Sequence, residues 1–239
     1  MPVDSAVGAI VHAPWFITID AIGTVAFALS GIAIARAERY SLLGALILAA
    51  LPAIGGGLVM DLIAGRSPVA ILASPTAMIA IIVTVVLAKL VMQFIDYASG
   101  RLLVFYDLAY LYVRLQERVA AGTFLVFFDS IGLASFTVTG VFTAIQYDCR
   151  PLIIWAPMFG VLNAAFGAIL RDVFRADAHN PIMKGSLYAE IAIVWSLLLL
   201  LFILFMPTWA EPVGVAFTLV GVSATRMMLY HRKIQAPMF

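Results

Sequence analysis

The sequence predicts an all-α polytopic membrane protein with seven transmembrane helices: an inverted repeat of three plus three helices, followed by a seventh. Three observations support this prediction. Of the 239 residues, 64% are hydrophobic and only 11% are charged, whereas about a quarter of a soluble domain is charged. Apolar segments of membrane-spanning length recur along the chain. The first three of these segments also resemble the next three in sequence.

A transmembrane helix needs roughly 20 mostly apolar residues. Seven segments meet this requirement, at about 15–36, 42–64, 71–96, 124–146, 151–171, 187–207 and 212–230. The stretch 98–121 alternates apolar with charged residues, so we interpret it as an interfacial amphipathic helix or an extension of the third span. We expect one transmembrane domain, 1–239, in which repeat one is 15–96, repeat two is 124–207 and the seventh helix is 212–230.

The basic residues predict how the chain is oriented in the membrane. If the N-terminus is outside, eleven of the 14 Lys and Arg fall in inside connections, and only Arg66 and Arg150 fall outside. This asymmetry favours an outside N-terminus and a cytoplasmic C-terminus. The first residues lack the basic region of a cleavable signal, so the first helix is expected to be retained. A bacterial inner membrane is the expected location.

The internal repeat is clearest between residues 16–35 and 125–144, where six of twenty positions are identical. Five of the six pairs are spaced by 3, 4, 4 and 4 residues, which places them on one helical stripe: Asp20/Asp129, Gly23/Gly132, Phe27/Phe136, Gly31/Gly140 and Ala35/Ala144. The glycine faces are predicted to be close-packing surfaces.

The similarity continues through 55–63 and 166–174, which share Gly56/Gly167 and Asp61/Asp172, and into 77–81 and 189–193. The repeated unit contains three spans, which is an odd number, so its second copy must enter the membrane in the opposite direction. Inverted repeats with interrupted helices are the architecture of membrane transport proteins.

Three adjacent glycines mark the centre of the second span. Gly55, Gly56 and Gly57 follow Pro52 by three residues, and both residue types weaken a helix. We expect the helix to break there. Non-helical backbone inside a membrane is tolerated only where protein or water covers it. Repeat two retains Gly167 alone, and its kink is expected to be milder or to involve Pro157.

The charged residues within the spans are the candidate functional side chains. Asp61 and Asp172 follow the glycines in the two repeats. Asp20 and Asp129 begin the stripes, where an acid at a helix start and an acid in a pore are equally consistent with the sequence. Lys89 lies within the third span, where it could extend to the interface or pair with Asp61, Asp129 or Asp20 in gating.

The two repeats differ together at two polar positions. Repeat two has Arg171 and Glu190 where repeat one has Met60 and Met78. This joint change suggests that Arg171 and Glu190 meet and neutralise each other, although Asp172 could compete for the arginine.

Several classes of function are not supported. The sequence has no phosphate-binding loop, dinucleotide fingerprint, metal-spaced His/Cys cluster or nucleic-acid motif, and no nucleophile accompanied by a base. We therefore expect no enzyme activity, no cofactor, no metal site and no nucleic-acid partner.

The pattern Asp20-x-x-Gly-x-x-x-Phe-x-x-x-Gly followed by Gly55-Gly-Gly-x-x-x-Asp61, and its second copy from Asp129 to Asp172, resembles the prokaryotic branch of the TRIC family of trimeric intracellular cation channels. The resemblance covers about 15–230. It implies a homotrimer in membrane lipid, with one pore per protomer lined by the glycine-kinked second and fifth helices and permeable to K⁺ and possibly Na⁺.

The chain departs from the family pattern at two places. Met60 replaces an arginine that the family often has before this Asp, so a symmetric charge ring is not implied. No lysine accompanies the glycines, as it does in animal members that bind an inositol lipid there, so lipid regulation is not implied either. Relatives with the same repeat have also been regarded as carriers of small amino acids such as glycine. A secondary transporter is therefore the alternative, and a structural scaffold is a third interpretation.

Overall fold

The computed structural model describes residues 13–102, 122–175 and 187–234, and this part of the chain is helical almost throughout, with no strand. The α-helices are α1 Pro14–Ala37, α2 Leu42–Ile63, α3 Ala70–Ala73, α4 Thr76–Leu102, α5 Thr123–Gln146, α6 Leu152–Val161, α7 Gly167–Phe174, α8 Ala189–Phe205 and α9 Glu211–His231. A π-helical turn, Leu162–Phe166, joins α6 to α7, and a 3₁₀ turn, Thr208–Ala210, precedes α9.

The seven predicted spans each coincide with a helix or a helical unit. Six are long and apolar enough to cross a membrane: α1, α2, the first 19 residues of α4, α5, the continuous α6–α7 unit Leu152–Phe174, and Thr208–His231. The sixth span in chain order, α8, is an apolar helix of 17 residues, about 26 Å long at 1.5 Å per residue. α4 continues to Leu102, beyond its predicted end. Residues 103–121 of the predicted interfacial segment lie outside the described residues.

Local signals in the sequence explain where several helices begin. Proline occupies the first turn of α1 and of α9, where its missing N–H costs no helical hydrogen bond. Ser41 caps α2, because its hydroxyl accepts a hydrogen bond from the Gly44 N–H at 3.2 Å. Gly122 precedes α5 with φ +74°, a left-handed conformation that glycine adopts without strain.

α5 and α1 form the centre of the bundle. Every residue of α5 from Gly132 to Ile145 is buried. The two helices contact each other reciprocally: a Cβ on Gly23 would lie 2.7 Å from the Phe136 ring, and one on Gly132 would lie 2.5 Å from the Phe27 ring. The two phenyl rings meet edge to face with centroids 5.2 Å apart. Each glycine thus meets the phenylalanine of the other repeat. Reciprocal contacts of this kind are expected when two halves are related by a two-fold axis.

The same relation governs how each central helix packs on the next helix along the chain. In repeat one, Gly31 contacts the backbone of Leu48 and Ala49 on α2. In repeat two, its counterpart Gly140 contacts the backbone of Phe159 and Gly160 on α6, and a Cβ there would lie 2.5 Å from the Phe159 oxygen. The inverted 3 + 3 repeat with a seventh helix, predicted from the stripe of identical residues, is confirmed.

Candidate functional site

α2 crosses the α6–α7 unit at its glycines, and this contact is also reciprocal. A Cβ on Gly56 would lie 2.6 Å from the carbonyl oxygen of Leu162 and closer still to that of Asn163. A Cβ on Gly167 would lie 2.7 Å from the carbonyl oxygens of both Leu51 and Pro52. We call this contact the glycine crossing. Because backbone touches backbone in both directions, only glycine fits at positions 56 and 167.

The prediction that helical structure is interrupted at Gly55–Gly57 is wrong, since α2 is helical without interruption from Leu42 to Ile63. In a membrane, an unbroken helix satisfies its backbone hydrogen bonds internally. The close packing at Gly56 stabilises the helix at the point where the glycines weaken it. The interruption occurs instead in repeat two, as the π turn that ends immediately before Gly167. π turns inside α-helices are frequent at functional sites.

Asn163 fixes the π turn to α5. It is 5% exposed, and its Nδ2 donates hydrogen bonds to the Phe136 carbonyl at 3.1 Å and to Thr139 Oγ1 at 2.9 Å. Asn163 is not among the residues that the sequence marks as candidates. Its only signal was an amide side chain in an apolar span, at the position that repeat one fills with Pro52.

A buried charge cluster lies at the end of the α6–α7 unit, and it consists of Ser30, Asp129, Arg171, Asp172 and Arg175. Arg171 is 3% exposed, and its Nη1 donates to Ser30 Oγ at 3.1 Å and to Asp129 Oδ1 at 3.2 Å. Its Nε donates to Asp172 Oδ1 at 3.0 Å, an oxygen that also lies 3.5 Å from Arg175 Nη1. This cluster, which we call the Arg171 cluster, joins α1, α5 and α7.

The predicted pairing of Arg171 with Glu190 is therefore wrong. Glu190 is exposed near the start of α8, whereas Arg171 is engaged by the two buried aspartates. The competition from Asp172 that the sequence suggested does occur, and Asp129 is the additional partner.

Two further interactions border the Arg171 cluster. Arg175 donates hydrogen bonds to the Glu38 carboxylate just beyond the end of α1. The guanidinium of Arg226 on α9 stacks over the Tyr188 ring, with its central carbon 4.6 Å from the ring centroid. Tyr188 is fully buried. Through these contacts the ends of α1, α8 and α9 are held around the cluster.

The repeat-one counterpart of Asp172 is Asp61, at the opposite end of the bundle. Its Oδ2 accepts a hydrogen bond from the Ala70 N–H at 2.6 Å, and its Oδ1 lies 3.5 Å from Arg66 Nη1. Asp61 is 2% exposed, while Arg66 is 35% exposed. Met60 fills the position equivalent to Arg171 and is buried in an apolar cluster. The two ends of the crossing thus carry related acids in different charge environments.

The remaining candidates lie away from these pairs. Lys89 is exposed on α4, and two of its predicted partners, Asp61 and Asp129, are engaged by Arg66 and Arg171. The prediction that either aspartate pairs with Lys89 is wrong. Asp20 is partly buried on α1. Among the described residues, no three His, Cys, Asp or Glu side chains are grouped as metal ligands.

A family model described as "Glycine transporter" matches residues 17–93 and 126–203. The chain belongs to this family. It is 28% identical over 176 residues to the UPF0126 inner membrane protein YadS of Escherichia coli K12, covering 74% of this chain and 73% of that protein. It is 30% identical over 176 residues to a UPF0126 membrane protein of Deinococcus radiodurans, covering 73% and 70%.

Solved structures show the same fold. The TRIC trimeric intracellular cation channel orthologue from Rhodobacter sphaeroides superposes with a TM-score of 0.74 at 22% identity, covering 93% of this chain and all of that one. A structure of a TRIC cation channel used to study conductance gives 0.69 at 24% identity, covering 94% and 97%. The resemblance predicted from the stripe and glycine motifs is confirmed, and the UPF0126 chain has the TRIC fold.

In this UPF0126 chain, the two stretches that match the family model, 17–93 and 126–203, correspond to the two repeats. The first contains most of α1, all of α2 and α3, and most of α4, and the second contains most of α5, the α6–α7 unit and most of α8. Gly56 belongs to one stretch and Gly167 to the other, so the glycine crossing is a contact between the two halves of the TRIC fold.

Proposed function

We propose that the chain is a potassium-permeable channel for monovalent cations, with one path in each protomer between α2 and the α6–α7 unit. The observation that carries the proposal is the glycine crossing, where the halves of an inverted repeat meet through bare backbone. Membrane transport proteins built from inverted repeats place their substrate paths at the repeat interface, beside interrupted helices, and here the α6–α7 unit supplies the interruption, at its π turn.

The two ends of the crossing carry carboxylate oxygens that suit a cation. Asp61 lies at one end and Asp172 at the other, and each has a buried oxygen, Oδ1 and Oδ2 respectively, without a hydrogen-bond partner. Carboxylate and carbonyl oxygens are the groups that replace the water shell of a cation. Both acids are also paired with arginines, Asp61 with Arg66 and Asp172 with Arg171 and Arg175, so the proposal uses their oxygens as cation ligands and assumes no net negative charge at either end. Between them, Asn163 and the carbonyl oxygens at the crossing supply further polar groups.

In this proposal the described arrangement is the closed state of the path, because the α2 and π-turn backbones touch. Opening would require the two helices to separate at Gly56 and Gly167. The π turn is a natural place for this movement, since its hydrogen bonds are already irregular. The hydrogen bonds from Asn163 to α5 would hold the turn in the closed arrangement.

The same proposal includes a homotrimer in the inner membrane, with the N-terminus outside and the C-terminus cytoplasmic. The solved structure from Rhodobacter sphaeroides is described as a trimeric channel, and the Escherichia coli relative is an inner membrane protein. Both properties are transferred to this chain as part of the proposal. A particle of three 25.8 kDa chains by light scattering in detergent would support the trimer.

The test is single-channel recording of the purified protein in planar bilayers with symmetric KCl and no other solute. We expect discrete potassium-selective steps, reduced by D61N roughly fivefold, the effect of about 1 kcal/mol lost from one charge. D148N is the matched control, because Asp148 is also paired with an arginine, Arg150, but both side chains are exposed. Its conductance should equal that of the wild type.

The second candidate is a carrier of a small zwitterion, favoured by the description of the matching family model, "Glycine transporter". A carrier saturates with substrate and passes no steady current in salt alone. Silent bilayers, combined with saturable glycine uptake into proteoliposomes, would replace the channel proposal with this one.

A further inference from the structure

The amide side chain of Asn163 has two ends with different surroundings. Its Nδ2 donates hydrogen bonds to the Phe136 carbonyl at 3.1 Å and to Thr139 Oγ1 at 2.9 Å, both on α5. A carbonyl oxygen can only accept a hydrogen bond, so the contact with Phe136 decides which end of the amide is the nitrogen. The other end, Oδ1, therefore points away from these two acceptors.

Asn163 Oδ1 is directed at the glycines of α2. It is the atom nearest to the place that a Cβ on Gly57 would occupy, at 3.3 Å. Both hydrogen bonds described for Asn163 are donated by Nδ2, and none within the described residues is donated to Oδ1. An amide oxygen that receives no donor in an apolar span costs free energy, so its presence calls for an explanation.

Two backbone oxygens of the π turn face the same part of α2. The carbonyl oxygens of Leu162 and Asn163 lie against Gly56, which is the residue next to Gly57. These two oxygens and Asn163 Oδ1 therefore face one short stretch of α2. All three are neutral, unlike the carboxylates at the ends of the crossing. Neutral carbonyl oxygens that replace the water shell of the ion form the selectivity filters of potassium channels.

We propose that Asn163 determines the ion specificity of the path, because its Oδ1 acts with the two carbonyl oxygens as a ligand of a potassium ion. This inference rests on the channel proposal, since an ion reaches the three oxygens only when α2 and the π turn separate. Neutral oxygens exert a weaker field than carboxylates, and they favour K⁺ over the more strongly hydrated Na⁺. Repeat one has Pro52 at the equivalent position, so only the second half of the fold contributes this amide.

The test is the K⁺/Na⁺ permeability ratio, measured in planar bilayers from the reversal potential with equal KCl and NaCl on the two sides. The reversal potential is a property of the open path, so it does not change in a variant that merely opens more or less often. We expect the wild type to prefer K⁺. N163A, which has no amide oxygen, should lower the ratio about threefold, because one of the three oxygens is lost.

G57A is a second variant, and it leaves Asn163 and its hydrogen bonds to α5 in place. The new methyl would lie against Oδ1 and cover it, so the ratio should fall as in N163A. T143V is the matched control, because Thr143 is also buried and its hydroxyl donates within α5, to the Thr139 carbonyl at 2.8 Å. Its ratio should equal that of the wild type. Thermal midpoints establish that each variant is folded, and G57A decides if N163A is not.

The outcomes separate this inference from the channel proposal. If the wild type conducts without preferring K⁺, or if the folded variants N163A and G57A keep the wild-type ratio, the role of Asn163 is wrong and the channel proposal stands. An equal fall in T143V would also overturn that role, since a general loosening of the bundle would then explain the change. Wild-type bilayers that stay silent in KCl would contradict the channel proposal itself, and the specificity site would be rejected with it.

Discussion

Arg171 is the residue on which the Arg171 cluster depends. Breaking a buried ion pair by removing one partner typically costs about 3–5 kcal/mol, because the other charge stays buried. We expect R171M, which introduces the residue that repeat one has at Met60, to lower the free energy of unfolding by about that amount. The measurement is thermal unfolding of the detergent-purified protein.

The double variant R171M/D129N distinguishes charge from shape. Asp129 Oδ1 loses its guanidinium partner in R171M, so neutralising that aspartate should restore part of the lost stability. If R171M were as stable as the wild type, or if D129N made it worse, the cluster would not be held by its charges.

At the scale of single residues, the sequence indicated which charged residues lie within the spans but not how they pair. Asp129, Arg171 and Asp172 could be selected because ionisable residues inside a membrane are rare. Their pairing depends on how α5 and α7 are rotated, which the sequence does not specify. The joint change to Met60 and Met78 suggested a contact with Glu190, but an arginine has several donors in a fixed fork, and two aspartates already occupy them.

At the scale of helices, the spacing of the glycines was a reliable guide to packing and an unreliable guide to breaks. Gly23 and Gly132 face each other's phenylalanine because a stripe at intervals of three and four lies on one helix face. The interruption in repeat two could not be predicted from glycine content, since Gly167 is its only glycine of the motif. The π turn reflects the Asn163 hydrogen bonds to α5, which are tertiary contacts.

The glycine crossing predicts opposite outcomes for two adjacent glycines of α2. In G56A the new methyl would meet the Leu162 and Asn163 carbonyl oxygens, so the backbone of the π turn would have to move. Such overpacking costs about 1–3 kcal/mol. In G57A the nearest atom would be Asn163 Oδ1 at 3.3 Å, a side-chain atom that can adjust, and alanine is the better helix former by about 1 kcal/mol.

We therefore expect G56A to lower the thermal midpoint and G57A to leave it unchanged or raise it. G167A should behave like G56A, because its contacts with Leu51 and Pro52 are the reciprocal ones. Equal midpoints for G56A and G57A would show that the two helices are not in backbone contact in solution.

At the scale of the whole molecule, the two halves share a backbone plan and differ in charge. The stripes, the central phenylalanine pair and the glycine crossing all follow the two-fold relation. The charges do not, since Arg171 has no counterpart at Met60, and Asp61 is paired with the partly exposed Arg66. The two ends of the proposed path would therefore respond differently to an applied voltage. The number of spans and their inversion were predictable from the sequence, because apolar length and an odd repeat unit leave few arrangements.

Cys149 is the single cysteine of the chain, and it allows the proposed orientation to be tested directly. It lies in the short connection between α5 and α6, which is outside if the N-terminus is outside. We expect a membrane-impermeant maleimide to label it in intact spheroplasts. In C149S/R232C, whose thiol would follow α9, labelling should require lysis. The reversed pattern would show that the chain is inserted the other way.

The pH dependence of this labelling follows from the surroundings of the thiol. Burial and, to a smaller extent, the Asp148 carboxylate raise the pKa of Cys149 above its ordinary value. Because the thiolate is the reactive form, the labelling rate should increase with pH up to that raised pKa, and it should be slower at neutral pH than for an unhindered cysteine. D148N removes one of the two causes, so it should lower the pKa and speed labelling at a given pH. An unchanged rate in D148N would show that burial alone controls the thiol.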